Sequence, residues 1–268
     1  MMKAAFYTLA GISLFVAQTL HAAPLRVAAD PVPHAEILEY VKTLDPKLDL
    51  KIIEMSSGGI NPNELLASGE VDANYFQHLP YLKDQEKALG KTFSVAAAVH
   101  IEPLGLYSRK VKSLAELPKG ASIAVPNNAP NLSRSLWLLQ KNGLLKLKST
   151  GDAASTLVTP ADISDNPKKL KIVQIESPQI PRALDDVDAA IINGNYALEA
   201  GLVPAKDALA LESADHNPYA NLLVTTPELL KDPRIVQLAK DLKSPQVAEF
   251  IRKNYSGSVI PVEGLKHD

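Results

Sequence analysis

The densest run of aromatic and hydrogen-bonding side chains in this sequence is Asp72-Ala73-Asn74-Tyr75-Phe76-Gln77-His78-Leu79-Pro80-Tyr81. Phe76, His78 and Tyr81 offer ring faces and polar edges, a combination that can enclose a small organic molecule where a strand hands over to a helix. Equally, Phe76 and Tyr81 could pack beneath a lobe while His78 caps the helix. Arg134 stands in Asn131-Leu132-Ser133-Arg134, read as the first turn of a helix capped by Asn131, where the dipole disfavours a cation. A carboxylate ligand there would meet orphan N–H groups and a guanidinium able to grip it bidentately; a salt bridge to a nearby acid is the plain alternative. Asn193 follows the strand read over 189–192, and Asn221 precedes the one read over 222–225. Such amides can donate to a carboxylate and accept from an ammonium, or simply shape turns.

Bond-making chemistry finds less support. The sequence carries no Gly-rich phosphate loop, no His-Glu-x-x-His and no Gly-x-Ser-x-Gly. Ser56-Ser57-Gly58-Gly59 reads as a turn, and spacing singles out no base or orienting acid for its serines. His34, His78, His100 and His216 could assemble a metal site, but their spacing is irregular and cysteine is absent. The expectation is a binding protein, not an enzyme, with no catalytic residue, no metal ligand and no cofactor.

The elements that would position these residues follow a strand–helix alternation. Strands are read at 25–29, 49–54, 68–73, 94–100, 104–108, 122–125, 170–175, 187–192 and 222–225. Helices are read at 34–44, from 61 onward, 80–89, 131–141, 180–184, 233–242 and 244–255. Pro62 suits a first helical turn, where its missing N–H costs nothing. This is an α/β fold with a parallel sheet covered by helices, divided into two lobes with a cleft between them. Residues 1–22 read as a signal peptide, 23–103 as the first part of lobe 1, 104–215 as lobe 2, and 216–268 as the second part of lobe 1.

The leader reading rests on Lys3, an apolar core over 9–16 and the small residues around Ala22 and Ala23. No later segment is apolar for long enough to cross a bilayer. Lys and Arg number 28 against 30 Asp and Glu, a formal net charge of -2. Such a balance offers nucleic acid no attractive field, and no nucleic-acid partner is expected. With no cysteine in 268 residues, neither a disulfide nor a lipid on an N-terminal cysteine is available. The expectation is a soluble periplasmic protein, not lipid-anchored.

Several blocks in a fixed order carry a family resemblance: Pro31-Val32-Pro33-His34-Ala35-Glu36-Ile37-Leu38, the run 72–82, Val125-Pro126-Asn127 with Asn131-Leu132-Ser133-Arg134-Ser135-Leu136, Pro178-Gln179-Ile180-Pro181-Arg182, and Asn217-Pro218-Tyr219-Ala220-Asn221-Leu222. Over essentially the whole mature length the chain resembles the methionine-binding lipoproteins, the substrate-binding components of D/L-methionine ABC importers. The resemblance implies a two-lobed, type II-like periplasmic binding protein, a monomer that closes over an amino acid. It would deliver that ligand to a membrane permease driven by a cytoplasmic ATPase. It also implies that Arg134 pairs with the ligand carboxylate, Asn193 and Asn221 hold the head group, and Phe76, His78 and Tyr81 enclose the methionine side chain.

Two departures stand out. The cysteine that usually carries the lipid is missing, and Gly59 stands where relatives usually carry an aromatic residue. The second departure would enlarge or reshape the side-chain end of the pocket. A methionine derivative or a short peptide is therefore an open alternative to L- or D-methionine. A periplasmic interaction protein without a transport role, and a metal-binding protein, are the others.

Overall fold

In the first strand, alternate residues enter different cores: Leu25, Val27 and Ala29 pack on one side of the sheet and Ala28 on the other, as the two-residue period of a strand requires. The computed structural model describes residues 23–56, 59–149, 151, 153 and 156–263. The leader reading and residues 57 and 58 of the serine–glycine turn lie outside the described residues.

Along the chain, β1 (Leu25–Ala29) leads through a wide turn at Pro31–Ala35 into α1 (Glu36–Leu44), followed by β2 (Leu50–Glu54), α2 (Pro62–Ser68), β3 (Ala73–His78), α3 (Leu79–Leu89) and β4 (Ser94–Ile101). The next run is β5 (Gly105–Tyr107), β6 (Ser122–Pro126), α4 (Ala129–Lys141), the ribbon β7 (Lys146–Leu147) and β8 (Ile163–Asp165), β9 (Lys171–Ile175), α5 (Ile180–Ala183), β10 (Ala189–Ile192), α6 (Gly194–Glu199), α7 (Pro204–Asp207) and β11 (Ala210–Leu211). The chain ends through β12 (Ala220–Thr225), α8 (Pro233–Leu242), α9 (Pro245–Tyr255) and β13 (Ile260–Pro261).

These strands form a six-stranded sheet in the order β13-β4-β12-β3-β1-β2 and a five-stranded sheet in the order β11-β5-β10-β6-β9. The first uses residues before 102 and after 219, the second the residues between. Each sheet has a parallel core, β3-β1-β2 and β10-β6-β9, extended by antiparallel strands. Helices cover both faces of each. On the first sheet, Ile37, Leu38 and Val41 of α1 pack with Ile235, Leu238, Val247 and Ile251 of α8 and α9, while Leu65, Leu66 and Leu82 cover the opposite face. On the second, Leu132, Leu136 and Leu139 of α4 face one side and Ile180, Leu184 and Ala197 the other. Burying these aliphatic side chains is worth roughly 1.5–3 kcal/mol each.

Several boundaries differ from the sequence reading, for identifiable reasons. The helix read from 34 starts at Glu36, because Val32 is extended and His34 belongs to the preceding turn. The strand read at 68–73 lies instead at Ala73–His78. Gly69, at φ 76°, closes α2 in the left-handed conformation and donates its N–H to Leu65 and Leu66 carbonyls, so Ser68 and Gly69 still belong to the helix end. The helix α6 begins with Gly194-Asn195, which reads as a turn, and was not expected; neither were α7 nor the β7–β8 ribbon. No helix among the described residues is long and apolar enough to cross a membrane.

Candidate ligand-binding site

All six residues singled out in the sequence, Phe76, His78, Tyr81, Arg134, Asn193 and Asn221, line one cavity of about 270 Å³ between the two sheets. Pockets for small molecules run roughly 300–1,000 Å³, so this one suits a single compact molecule.

The first sheet supplies a row of three polar residues. In register, Asn221 of β12 lies between His78 of β3 and His100 of β4. Asn221 is thus inside a strand, not ahead of one as read from sequence. Its Oδ1 accepts from His34 Nε2 at 3.0 Å, which leaves the two N–H donors of its amide for other partners. His78 ends β3 and caps α3: its Nδ1 accepts the Tyr81 N–H at 3.2 Å. The Nε2 proton is then donated to Asn131 Oδ1 at 3.0 Å. Burial, and after it the nearby Arg134 charge, lower the His78 pKa to about 3, so the ring is neutral. Capping and lining are compatible here, because a histidine ring carries two nitrogens with different partners. Phe76 and Tyr81 meet edge to face at 6.0 Å between centroids, and Tyr81 Oη accepts from Asn61 Nδ2 at 3.1 Å. Gly59, Ile60 and Met55 complete that end.

The second sheet supplies Arg134, Asn131 and Asn193. The cap of α4 is Asn128, whose side chain accepts the Asn131 N–H, and not Asn131 as the sequence suggested. Asn128 is extended and directly precedes the helix, and Pro130, two residues on, takes a first-turn position where its missing N–H costs nothing. Arg134 consequently falls in the second turn, away from the orphan N–H groups, and the argument from the helix start does not apply to it. Asn131 instead turns its amide to the cavity, where Oδ1 also accepts from Asn193 Nδ2 at 3.2 Å. Asn193 Oδ1 is buried and has no hydrogen-bond partner among the described residues.

Arg134 is held from three sides. Nε and Nη2 donate to the two oxygens of Glu212 at 2.9 and 2.5 Å, and Nη2 also donates to the Glu102 carbonyl at 3.0 Å. The Tyr219 ring covers its Cζ at 4.1 Å, a cation–π contact. The remaining nitrogen, Nη1, makes no hydrogen bond to a described residue. Glu212 and Tyr219 were missed in sequence because nothing local marks them; Asn131, three residues before Arg134 on one helix face, was legible but had been assigned to the cap.

Beneath the row lies a buried acid–imidazole cluster. Tyr75 donates its hydroxyl proton to His100 Nδ1, and His100 Nε2 donates to Glu102 Oε1 at 2.7 Å. His34 Nε2 lies 3.2 Å from the same oxygen. Burial lowers the His34 and His100 pKa values, to about 4 and about 3, and raises that of Glu102. His34, His100 and Glu102 are the residues of metal-ligating type that converge among the described residues, with one atom of each within 4.8 Å of the others. His34 Nε2 is engaged by Asn221, which orients the row above it, and both His100 nitrogens are engaged within the network, while His34 Nδ1 is buried without a hydrogen-bond partner among the described residues. Of the four histidines considered for a metal site, His78 is committed to Asn131 and Tyr81, and His216 lies outside this cluster.

The family model described as NlpA lipoprotein matches residues 25–263. The chain belongs to the NlpA lipoprotein family. Within it, the chain is 42% identical over 228 residues to the D-methionine-binding lipoprotein MetQ of Salmonella typhi, covering 84% of this chain and 82% of that one. It is 39% identical over 241 residues to the methionine-binding lipoprotein MetQ of Bacillus subtilis, covering 88% and 87%. Among solved structures, a nutrient-binding protein from Burkholderia cenocepacia bound to methionine superposes with a TM-score of 0.84 at 44% identity, over 88% of this chain and 99% of that one. The fold is thus that of the family's substrate-binding proteins.

Proposed function

We propose that this chain is the amino-acid-binding component of an ABC importer, with methionine, in the L or D form, as its ligand. One observation carries the reading: a guanidinium, two strand-associated amides and three rings, named from sequence for those roles, converge on a single cavity between two sheets. Arg134 Nη1 and the Asn221 amide would receive the carboxylate. Phe76, His78 and Tyr81 would enclose the thioether, whose contact with aromatic rings is worth roughly 0.3–1.5 kcal/mol. The two sheet-centred halves, 23–103 with 216–268 and 104–215, would act as lobes that close over the ligand. No bond is made or broken; the ligand passes to a membrane permease driven by a cytoplasmic ATPase.

With methionine-binding relatives and no cysteine in the sequence, the protein would act as a soluble periplasmic monomer. Mass spectrometry of small molecules released on denaturing the purified protein, followed by calorimetric titration with L- and D-methionine, tests the assignment. A methionine-sized amino acid and a saturable isotherm are expected. Absence of any released ligand, with no heat across an amino-acid panel, would favour an interaction protein instead.

A further inference from the structure

Phe76 is an extra residue in its strand. β12 pairs with β3 one residue to one, except that Leu222 lies opposite Gln77 and Leu223 opposite Tyr75, so Phe76 between them has no counterpart. Such a bulge re-aims the side chains around it. In a regular strand, residues three apart point to opposite faces. With the bulge between them, Asn74 and Gln77 come to the same side, and Gln77 Nε2 donates to Asn74 Oδ1 at 2.9 Å.

Asn63, in the first turn of α2, completes a cluster of three primary amides. Its Nδ2 donates to Gln77 Oε1 at 2.8 Å, and its Oδ1 accepts from Gln77 Nε2 at 2.6 Å and from Asn74 Nδ2 at 2.9 Å. Asn74 Nδ2 also donates to the Pro62 carbonyl at 3.3 Å. All three side chains are buried, and every amide nitrogen and oxygen among them has a partner. Such bonds add little net stability, because each replaces one to water, but a fully satisfied buried network specifies a single geometry.

That geometry reaches the cavity wall by two routes. Asn61 and Pro62 line the cavity and open the helix that Asn63 fixes, and the Asn63 N–H donates to Asn61 Oδ1 at 2.9 Å. Asn61 Nδ2 in turn holds Tyr81 Oη at 3.1 Å and Gln85 Oε1 at 2.8 Å. On the strand side, Asn74 and Gln77 bracket the bulged Phe76. None of the three amides hydrogen-bonds to Arg134, Asn193 or Asn221.

We propose that Asn63, Asn74 and Gln77 are positioning residues that hold Phe76 and Tyr81 in place and so set the length of side chain that the cavity accepts. The inference rests on the amino-acid reading above and deepens it at the side-chain end. The amides act through the two rings, since their own polar atoms are engaged within the protein.

Competition calorimetry on the purified protein with methionine and its S-ethyl homologue ethionine, one methylene longer, reads this length. One methylene in an apolar pocket is worth roughly 10–200-fold, so the wild type is expected to prefer methionine by at least about tenfold. Gln77→Met and Asn63→Leu each orphan an amide partner; both should lower the melting temperature and bring that ratio to within about threefold. The triple variant Asn63→Leu/Asn74→Leu/Gln77→Met leaves no orphan and should regain melting temperature, because apolar groups then replace every partner. Its ratio should stay low. A ratio that returns to the wild-type value with the melting temperature, or that never leaves it by more than about twofold in any variant, would overturn the positioning role. Should the variants fold poorly, NMR hydrogen exchange of the three side-chain amides in the wild type still decides. Protection in the free and the methionine-bound protein alike is expected, and exchange as fast as that of exposed amides would overturn the proposal. Equal binding of methionine and ethionine by the wild type would overturn it too and leave the amino-acid reading standing. A wild type that binds neither would remove that reading and this inference with it.

Discussion

Arg134 and Glu212 form a two-pronged ion pair, with Nε and Nη2 on separate carboxylate oxygens at 2.9 and 2.5 Å. Glu212 lies on the connection from β11 to β12 and also accepts the Leu104 N–H at 2.9 Å, on the connection from β4 to β5. One carboxylate thus ties the guanidinium to both strands of chain that join the two sheets.

This relationship changes what an Arg134→Ala substitution should do. The structure places the side chain at 3% exposure against a partner at 13%, so removing either one strands a poorly hydrated charge. Breaking such a pair typically costs about 3–5 kcal/mol. Urea denaturation should show a loss of that order for Glu212→Ala and a clear loss for Arg134→Ala. The double variant should recover part of it, because neither charge is then orphaned; strictly additive losses would contradict the pairing.

Binding should separate from stability in the same series. Arg134→Ala, alone or with Glu212→Ala, should weaken methionine by more than about tenfold, since a charge-assisted hydrogen bond is worth roughly 1.5–3 kcal/mol. An isotherm identical to wild type would remove Arg134 from the site.

At the other end of the cavity, Phe76→Ala should weaken methionine by about tenfold, the loss of ring contact with a thioether side chain. Alanine, whose side chain is a single methyl group that does not reach the ring, should be nearly unaffected. Equal losses for the two amino acids, measured by competition, would contradict the enclosing role.

Asp30 gives a pH-dependent signature. Burial first, and then the Glu102 charge, raise its pKa from 3.8 to about 7. A carboxyl with a raised folded pKa contributes stability that is complete below its unfolded pKa and is lost as pH rises through the folded one. Asp30→Asn removes this penalty above pH 7 and changes little below the unfolded value. Thermal melts of the ligand-free protein should show Asp30→Asn higher than wild type by at least about 2 °C at pH 8, with the difference vanishing towards pH 4. A variant that melts lower at pH 8 would show that the charged carboxylate is compensated in the absence of ligand.

Much of this architecture was legible in the chain because local signals and packing agree. The residues Leu25 to Ala29 alternate between two cores, and Asn61 with Pro62 opens α2 as its types demand. The six cavity residues were legible for the chemistry of their side chains, although two of the geometric arguments failed: Arg134 is not at a helix start and Asn221 is not before its strand. Both slips come from boundaries, where one asparagine competes with another for the cap and a strand begins a residue or two early. Asp30, Asn195 and Glu212 were not found, because their partners lie far along the chain. Asp30 meets Asn195, and Arg134 meets Glu212, only when the two sheets are assembled.

The most direct test is a crystal structure of the protein grown with methionine. The account predicts the amino acid in the cavity between the sheets, its carboxylate on Arg134 and Asn221, and its thioether against Phe76 and Tyr81. An unoccupied cavity at saturating methionine, or a ligand seated with its carboxylate away from Arg134, would contradict it.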